Sequence, residues 1–176
     1  MVAMATEMES AVAQPGALRI VREARARYVR RALDDLDFYR FVQSSTRSGQ
    51  ITQAEVAREL RITQGGLSKG VNKTPAVVEG FSGASPYEIA QRYAAGDIDR
   101  TQLVEELTRW KYPPRPLTDG PYDDLLFLPE GSFEDVGQAF DEGLIDMETY
   151  DEIAEKHVVV TLGEDTASLS RNARSA

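Results

Sequence analysis

Five positions near the middle of the chain have residue types that suit the reading of DNA bases. Gln64 can form two hydrogen bonds with adenine, and Lys69 can form hydrogen bonds with guanine. Ser68 can form a hydrogen bond with either base. Gln64, Gly65, Ser68 and Lys69 are early, exposed positions of one predicted helix, and Asn72 lies further along it. The residues predicted to contact bases are Gln64, Gly65, Ser68, Lys69 and Asn72.

A second set of residues has the chemistry to hold phosphate. Thr63 and Gln53 stand at predicted helix N-termini, where backbone N–H groups and short polar side chains commonly bind phosphate oxygens. Arginine and lysine side chains neutralise phosphates and add salt-dependent affinity. The residues predicted to contact phosphate are Thr63, Gln53, Lys73, Arg22, Arg27 and Arg30.

Two short helices at residues 51–73 would position these side chains. Thr52 and Glu55 have the spacing of a capping box, which predicts the start of the first helix. Thr63 caps the second helix, and Leu67 anchors it to the first. This helix-turn-helix pattern predicts a short helix presented to the major groove of double-stranded DNA. An ordinary helical hairpin inside a core is the alternative.

The pattern resembles the helix-turn-helix of phage-repressor-like bacterial regulators, over about a fifth of the chain. Arg61 stands in the turn where that family often has glycine. Three glycines in the second helix lower its helix propensity, by roughly 1 kcal/mol each. The resemblance implies a DNA-binding regulator that acts as a homodimer on a two-fold site. The residues that match the family are Ala57, Leu60, Ile62 and Leu67.

Charge is divided along the sequence. The whole chain has a net charge of −9, which by itself argues against a nucleic-acid binder. Residues 17–74, however, hold twelve Arg and Lys against six Asp and Glu, so that segment is +6. Residues 119–165 hold one Lys against fifteen acidic residues, a net charge of −14. The acidic segment is either solvated surface, a site for a basic protein partner, or a mimic that competes with DNA for the basic half.

The basic part includes an arginine-rich helix at residues 19–31. Its apolar stripe is expected to pack on the helix-turn-helix, which would place the arginines beside the reading helix. The alternatives are a solvated helix face or a face paired with the chain's own acidic end. The stripe consists of Leu18, Val21, Tyr28, Val29, Ala32, Leu33 and Leu36.

Several function classes have no support in the sequence. The chain has no cysteine, no phosphate loop and a single histidine, His157, which lies near a predicted helix C-terminus. We therefore expect no enzyme activity, no cofactor and no metal site. No apolar run approaches the ~20 residues of a membrane span, and residues 1–16 lack the features of a secretion signal. These features favour a cytoplasmic protein without membrane association.

The predicted fold is all-α, with an N-terminal helix-turn-helix bundle followed by two helical hairpins. Glycines at 49, 96 and 143 are each followed by an isoleucine and a Thr or Asp cap, which predicts three helix–turn–helix corners. A short two-stranded β element from 124–128 and 158–160 is an option. The predicted helices are 17–32, 34–47, 52–60, 64–72, 86–95, 99–110, 132–142 and 146–157.

The predicted domain organisation follows the charge division and the turn-rich segments. The predicted units are a disordered lead-in at 1–16, a basic DNA-binding domain at 17–74, a linker at 75–85, a helical hairpin at 86–110, a proline-rich loop at 111–122, an acidic helical hairpin at 123–162 and a disordered tail at 163–176.

The C-terminal half adds an alternative function. Residues 79–153 resemble a module of small helix-turn-helix proteins of actinobacteria and their phages, which implies a regulator. The block is also similar to antitoxins that inhibit Fic-type enzymes, through Glu79-Gly80, although Pro75 stands where those have Ser or Thr. Trp110 and Tyr112 are candidate partner-binding residues, or core covered by its own loop. The chain is thus either a transcriptional regulator, an antitoxin or accessory protein with a basic partner, or a non-catalytic interaction protein.

Overall fold

The computed structural model describes residues 15–113 and 131–158, and the protein is all-α, as predicted. The predicted segment 124–128 and residues 159–160 lie outside the described residues, Val158 is helical, and the described ranges contain no strand. The lead-in before residue 15, most of the proline-rich loop and the tail also lie outside them. The helices are α1 (Pro15–Arg47), α2 (Gln53–Glu59), α3 (Gln64–Lys73), α4 (Pro86–Ala95), α5 (Arg100–Arg109), α6 (Glu134–Asp141) and α7 (147–158).

Helix α1 is a single element of 33 residues, so the predicted break between 32 and 34 is wrong. Asp34 and Asp35 resemble helix caps in the sequence, but both lie on the exposed side of a continuous helix. Leu33, at the predicted break, is fully buried. Nothing between residues 17 and 47 removes a backbone donor, since the segment has no proline, and at 1.5 Å per residue the helix is about 50 Å long.

Two hydrophobic cores lie on opposite sides of α1. Leu33 belongs to the larger core, which α4, α5, α6 and α7 complete, whereas Val42 belongs to a smaller core with α2 and α3. Nine residues separate Leu33 from Val42, which is two and a half helical turns, so the two side chains leave the helix in opposite directions. One side of α1 therefore completes the main core, and the helix-turn-helix packs on the opposite side of the same helix.

This arrangement corrects the predicted packing of the arginine-rich helix. Val29 and Leu33 belong to the core that α4 to α7 complete, not to the core of the helix-turn-helix. Tyr28, from the same predicted stripe, is 79% exposed. The helix-turn-helix instead contacts the C-terminal third of α1, through Phe38, Tyr39 and Val42.

The three predicted corners are confirmed. Gly49, Gly96 and Gly143 have positive φ angles of 72°, 83° and 67°, and each one follows the end of a helix. The hydroxyl or carboxylate of the next cap residue then accepts a backbone N–H of the following helix, as predicted. The caps are Thr52 for α2, Asp99 for α5 and Asp146 for α7.

The segment 75–85, predicted as a linker, is fixed to the bundle. The buried carboxylate of Glu106 accepts hydrogen bonds of 2.8 Å from both the backbone N–H and the hydroxyl of Ser82. The ring of Phe81 lies 4.8 Å, edge to face, from that of Trp110. The segment forms no helix, so Glu79-Gly80 lies in a turn and not on the inhibitory helix that the antitoxin resemblance implies.

Candidate nucleic-acid interface

The start of α2 is fixed by its own first turn. Thr52 accepts a hydrogen bond from the Glu55 N–H (3.2 Å), and the Glu55 carboxylate accepts one from the Thr52 N–H (2.8 Å). The hydroxyl of Thr52 also donates to Glu55, and these bonds hold the pKa of the Glu55 carboxyl below its usual range. The predicted capping box is therefore present, and it sets where the helix-turn-helix begins.

The second helix is held by two buried anchors and one very close approach. Leu67 and Val71 are buried against Ala57 of α2 and Val42 of α1. The predicted cap Thr63 accepts the Gly66 N–H at 3.2 Å. The three glycines lower the helix propensity of α3, but in the structure one of them allows α3 to pack closely on α1.

That glycine is Gly70, which lies under the ring of Tyr39. A Cβ atom at position 70 would come within 2.2 Å of a ring carbon. Position 65, in contrast, has open space around it. Gly70, unlike Gly65, is therefore needed for α3 to pack on α1.

The five residues predicted to contact bases all lie on α3, but they do not share a single face of the helix. Leu67 and Val71 point into the small core, and at 100° per residue Gly65, Lys69 and Asn72 lie on the far side of the helix from them. Ser68 lies at the flank of the helix, and Gln64 lies in the first turn on the same side as Val71. Four of the five are exposed and Ser68 is half-buried, with a 3.5 Å hydrogen bond from the Asn72 amide. The five residues that α3 brings together are Gln64, Gly65, Ser68, Lys69 and Asn72.

The surface around α3 carries positive charge. Residues 38–74 hold six Arg and Lys against two Glu, a net charge of +4, although one of the six, Arg40, is paired with carboxylates outside this segment. Within the described part of the chain, Arg61, Lys69 and Lys73 form no ion pair, and Arg58 approaches only its neighbour Glu59, at 3.6 Å. The predicted phosphate residues Gln53, Thr63 and Lys73 belong to this surface, with Gln53 half-buried and the other two exposed.

The arginines of α1 have a different location from the one predicted. Arg30 forms an ion pair of 2.5 Å with Asp97 and donates to the carbonyl of Ala95 at 2.8 Å. Arg25 donates to the carbonyl of Gly143 at 2.9 Å. Both guanidinium groups thus bind carbonyls at helix C-terminal ends, where cations are favourable.

The placement of Arg22, Arg27 and Arg30 beside the reading helix is therefore wrong. At 1.5 Å per residue these positions lie about 20 to 30 Å along α1 from Val42, where the helix-turn-helix packs. Arg22 and Arg27 are exposed, and Arg27 pairs with Glu23 at 2.8 Å. The reason is the length of α1. Its first half lies along the main bundle, and the helix-turn-helix packs on its C-terminal third.

The candidate partner-binding residues pack on the chain's own core. The indole N–H of Trp110 donates to the carbonyl of Gly131 at 3.1 Å. The hydroxyl of Tyr112 donates to the carbonyl of Leu107 at 2.7 Å, and its ring meets those of Phe133 and His157. Both are half-buried against the main core, so neither presents a free anchor.

His157 belongs to the same aromatic cluster. Its ring stacks on that of Phe133, with 4.9 Å between the ring centres and 10° between the planes. Burial lowers the pKa of the imidazole below its usual range, because the charged form loses hydration. The neutral ring therefore acts here as a packing group.

A buried ionic network, not visible in the sequence, joins α1 to the main bundle. The carboxylate of Glu88, only 4% exposed, accepts two hydrogen bonds from Arg40, at 2.6 and 2.7 Å. Arg92 donates to the same carboxylate and to Asp37, at 2.9 and 2.6 Å. Arg40 also donates to the carbonyl of Pro75, just after α3, so the network links α1, α4 and the end of the helix-turn-helix.

The network controls the ionisation of Glu88. Burial alone would raise the pKa of this carboxyl, but the hydrogen bonds from Arg40, the Ala84 N–H and Arg92 outweigh it and hold the pKa below its usual range. The carboxylate therefore stays charged at neutral pH, and the orientation of the helix-turn-helix relative to α4 is set by charged hydrogen bonds.

Comparison of the chain with protein-family models, curated proteins and solved structures finds no match. The resemblance to phage-repressor-like regulators thus rests on residues 51–73 alone. Among the described residues, no group of three or more His, Cys, Asp or Glu is placed to hold a metal ion. No helix in that part of the chain is both long and apolar enough to cross a membrane.

Proposed function

We propose that this protein is a sequence-specific DNA-binding transcriptional regulator that inserts α3 into the major groove. The observation that carries the proposal is the division of α3 into two faces. Leu67 and Val71 anchor one face, the opposite face presents Lys69 and Asn72 to solvent, and Gln64 is exposed in the first turn. A helix held from behind, with amide and ammonium groups on its free face, has what direct readout of base edges requires.

The charge distribution supports this orientation on DNA. Residues 38–74 carry +4, whereas 86–113 and 131–158 together hold five basic and fourteen acidic residues, a net charge of −9. The phosphate backbone would attract the helix-turn-helix end and repel the α4–α7 end. The acidic composition of the whole chain is therefore compatible with DNA binding at one end of the molecule.

The phosphate contacts in this proposal fall into two groups. Gln53, Thr63 and Lys73 are close to α3 and would fix its position in the groove. Arg22 and Arg27 lie far along α1 and would contribute only where the DNA extends beyond the reading helix. Arg30 is already bound to Asp97 and Ala95, so its removal would act mainly on folding.

A homodimer on a two-fold operator is part of the proposal, because one short reading helix contacts few bases. So is a cytoplasmic location, where the protein would meet its DNA. We do not expect an enzyme activity or a cofactor.

The test is a binding titration of the full chain against the DNA upstream of its own gene and against a scrambled duplex of equal length. We expect tighter binding to the upstream duplex, with affinity that falls steeply between about 50 and 200 mM salt, because several phosphate contacts release counterions. Failure of the full chain to bind either duplex at about 50 mM salt would contradict the proposal.

A second candidate function is a protein-binding antitoxin or accessory factor. The observation that favours it is the acidic solvent side of α6 and α7. We expect a basic protein encoded beside this gene to bind the full chain, and Glu148→Lys with Asp151→Lys to abolish that binding without changing DNA affinity. The exposed acidic residues are Glu134, Asp141, Glu142, Asp146, Glu148, Asp151 and Glu155.

A further inference from the structure

In the part of the chain that the structure describes, four helices end with the same pair of backbone hydrogen bonds. In each one, the N–H of a residue just past the helix bonds the carbonyl three residues back, and the next N–H bonds the carbonyl five residues back. At the end of α4 these bonds are Gly96 to Tyr93 (2.9 Å) and Asp97 to Arg92 (2.8 Å). The residues in the first of these positions are Gly49, Arg61, Gly96 and Gly143.

This position requires a left-handed backbone, and three of the four helices place glycine there. The fourth is α2, where Arg61 has a φ angle of 55°, the single positive φ angle among the described non-glycine residues. The α2 hydrogen bonds are as well formed as the others, at 3.2 Å from the Arg61 N–H and 3.0 Å from the Ile62 N–H. Since a Cβ atom is unfavourable in this conformation, glycine would suit the fold better.

The Arg61 side chain forms no contact that stabilises the described part of the fold. It is exposed, and it has no ion pair or side-chain hydrogen bond with any residue that the structure describes. Its folding disadvantage is therefore not offset by a contact within that part of the chain. A strained residue without a structural role is a reason to look for a function.

The location of Arg61 indicates what that function is. It stands two residues before Thr63, the cap of α3. In a helix-turn-helix the N-terminal end of the second helix enters the major groove, so residues just before it come close to the phosphates that border the groove. Arginine is well suited to bind phosphate, because its planar guanidinium can donate two hydrogen bonds at once.

We propose that Arg61 is a positioning residue that binds a DNA phosphate at the edge of the major groove and so fixes how far α3 enters it. The inference rests on the proposed function. It adds that the chain keeps arginine at a position where glycine would give a more stable fold.

The test uses two substitutions that remove the same side chain with different effects on the backbone. Arg61→Gly relieves the left-handed strain, whereas Arg61→Ala keeps it. We expect Arg61→Gly to raise Tm by about 2–4 °C and Arg61→Ala to leave it unchanged. Gly96→Ala, at an open position with the same hydrogen bonds, is the converse control and should lower Tm by a similar amount.

DNA affinity should fall equally in both Arg61 variants. With the upstream duplex and with the scrambled duplex, we expect the slope of log affinity against log salt to become shallower by about 0.9, the value for one phosphate contact. Arg31→Ala, which removes an exposed arginine from α1 and changes the net charge equally, should leave the slope unchanged.

The outcomes separate this inference from the function it rests on. If the wild-type chain binds neither duplex, the proposed function is contradicted and the role of Arg61 with it. If the wild type binds and both Arg61 variants keep its affinity and salt slope, only the role of Arg61 is contradicted. A lower Tm for Arg61→Gly would mean that the arginine serves the fold, which would also overturn the inference.

Discussion

Tyr39 of α1 lies directly against the backbone of Gly70 in α3, and this contact sets how closely the reading helix approaches the helix that carries it. A side chain at position 70 would overlap the ring, because a Cβ there falls 2.2 Å from a ring carbon. The separation of the two helices is therefore fixed by one aromatic ring on one glycine.

The first prediction compares two glycines of the same helix. We expect Gly70→Ala to lower the free energy of unfolding by about 1–3 kcal/mol, the typical range for overpacking. Gly65→Ala should instead raise it by up to about 1 kcal/mol, since position 65 is open and alanine favours helix. Urea unfolding of both variants measures this difference, and equal effects of the two substitutions would contradict the packing of α3 on Tyr39.

The second prediction concerns acid stability. The pKa of Glu88 is lower in the folded chain than in the unfolded one, so its contribution is present above pH 4.5 and is lost as the pH falls through the folded value. Glu88→Gln should cost about 3 kcal/mol at pH 7, because it removes the buried charge that Arg40 and Arg92 share. The exposed carboxylate of Asp37 remains beside both arginines. The difference between wild type and variant should shrink as the pH falls below 4.5.

Denaturant unfolding at several pH values between about 3 and 7 measures this difference. Glu134→Gln, at an exposed position of α6, is the control and should follow the wild type across the range. A constant difference between wild type and Glu88→Gln at all pH values would show that the charge of Glu88 is not what stabilises the contact between α1 and α4.

The third prediction concerns His157. Burial lowers the pKa of its imidazole, so the unfolded chain takes up a proton at a higher pH than the folded chain does. The stability from the neutral ring is thus present above pH 6.5 and is lost as the pH falls from 6.5 towards the folded pKa. His157→Phe, which keeps an aromatic ring against Phe133 and Tyr112, should remove this loss.

Thermal unfolding at about pH 7.5 and 5.5 tests the His157 prediction. The wild type should lose more stability between the two pH values than the phenylalanine variant does. Because Glu88 acts below pH 4.5, its titration does not interfere in this range. The same loss in both proteins would mean that His157 is protonated in the folded state.

The sequence predicts local structure well in this chain, since the signals lie within a few residues of each other. The capping box spans Thr52 to Glu55, and each corner follows from a glycine and the cap three residues after it. These contacts need no knowledge of the rest of the fold.

The long-range arrangement could not be predicted in the same way. Arg25 and Gly143 are 118 residues apart, and Arg40 and Glu88 are 48 apart. The sequence does not distinguish an arginine that binds a backbone carbonyl of the chain from one that is available to bind phosphate. The opposite directions of Leu33 and Val42 also depend on α1 being one helix, whereas the sequence predicted two, at 17–32 and 34–47.

The reading face of α3 is the central claim, and its most direct test is a double substitution. The wild type is compared with Gln64→Ala/Lys69→Ala and with Lys73→Ala, on the upstream duplex and on its scrambled counterpart at one salt concentration. The double variant should lose most of the preference for the upstream duplex, on the order of 1–3 kcal/mol for each base-reading side chain removed. Lys73→Ala should weaken binding to both duplexes alike. An unchanged preference in the double variant would contradict the assignment of α3 as the helix that reads the bases.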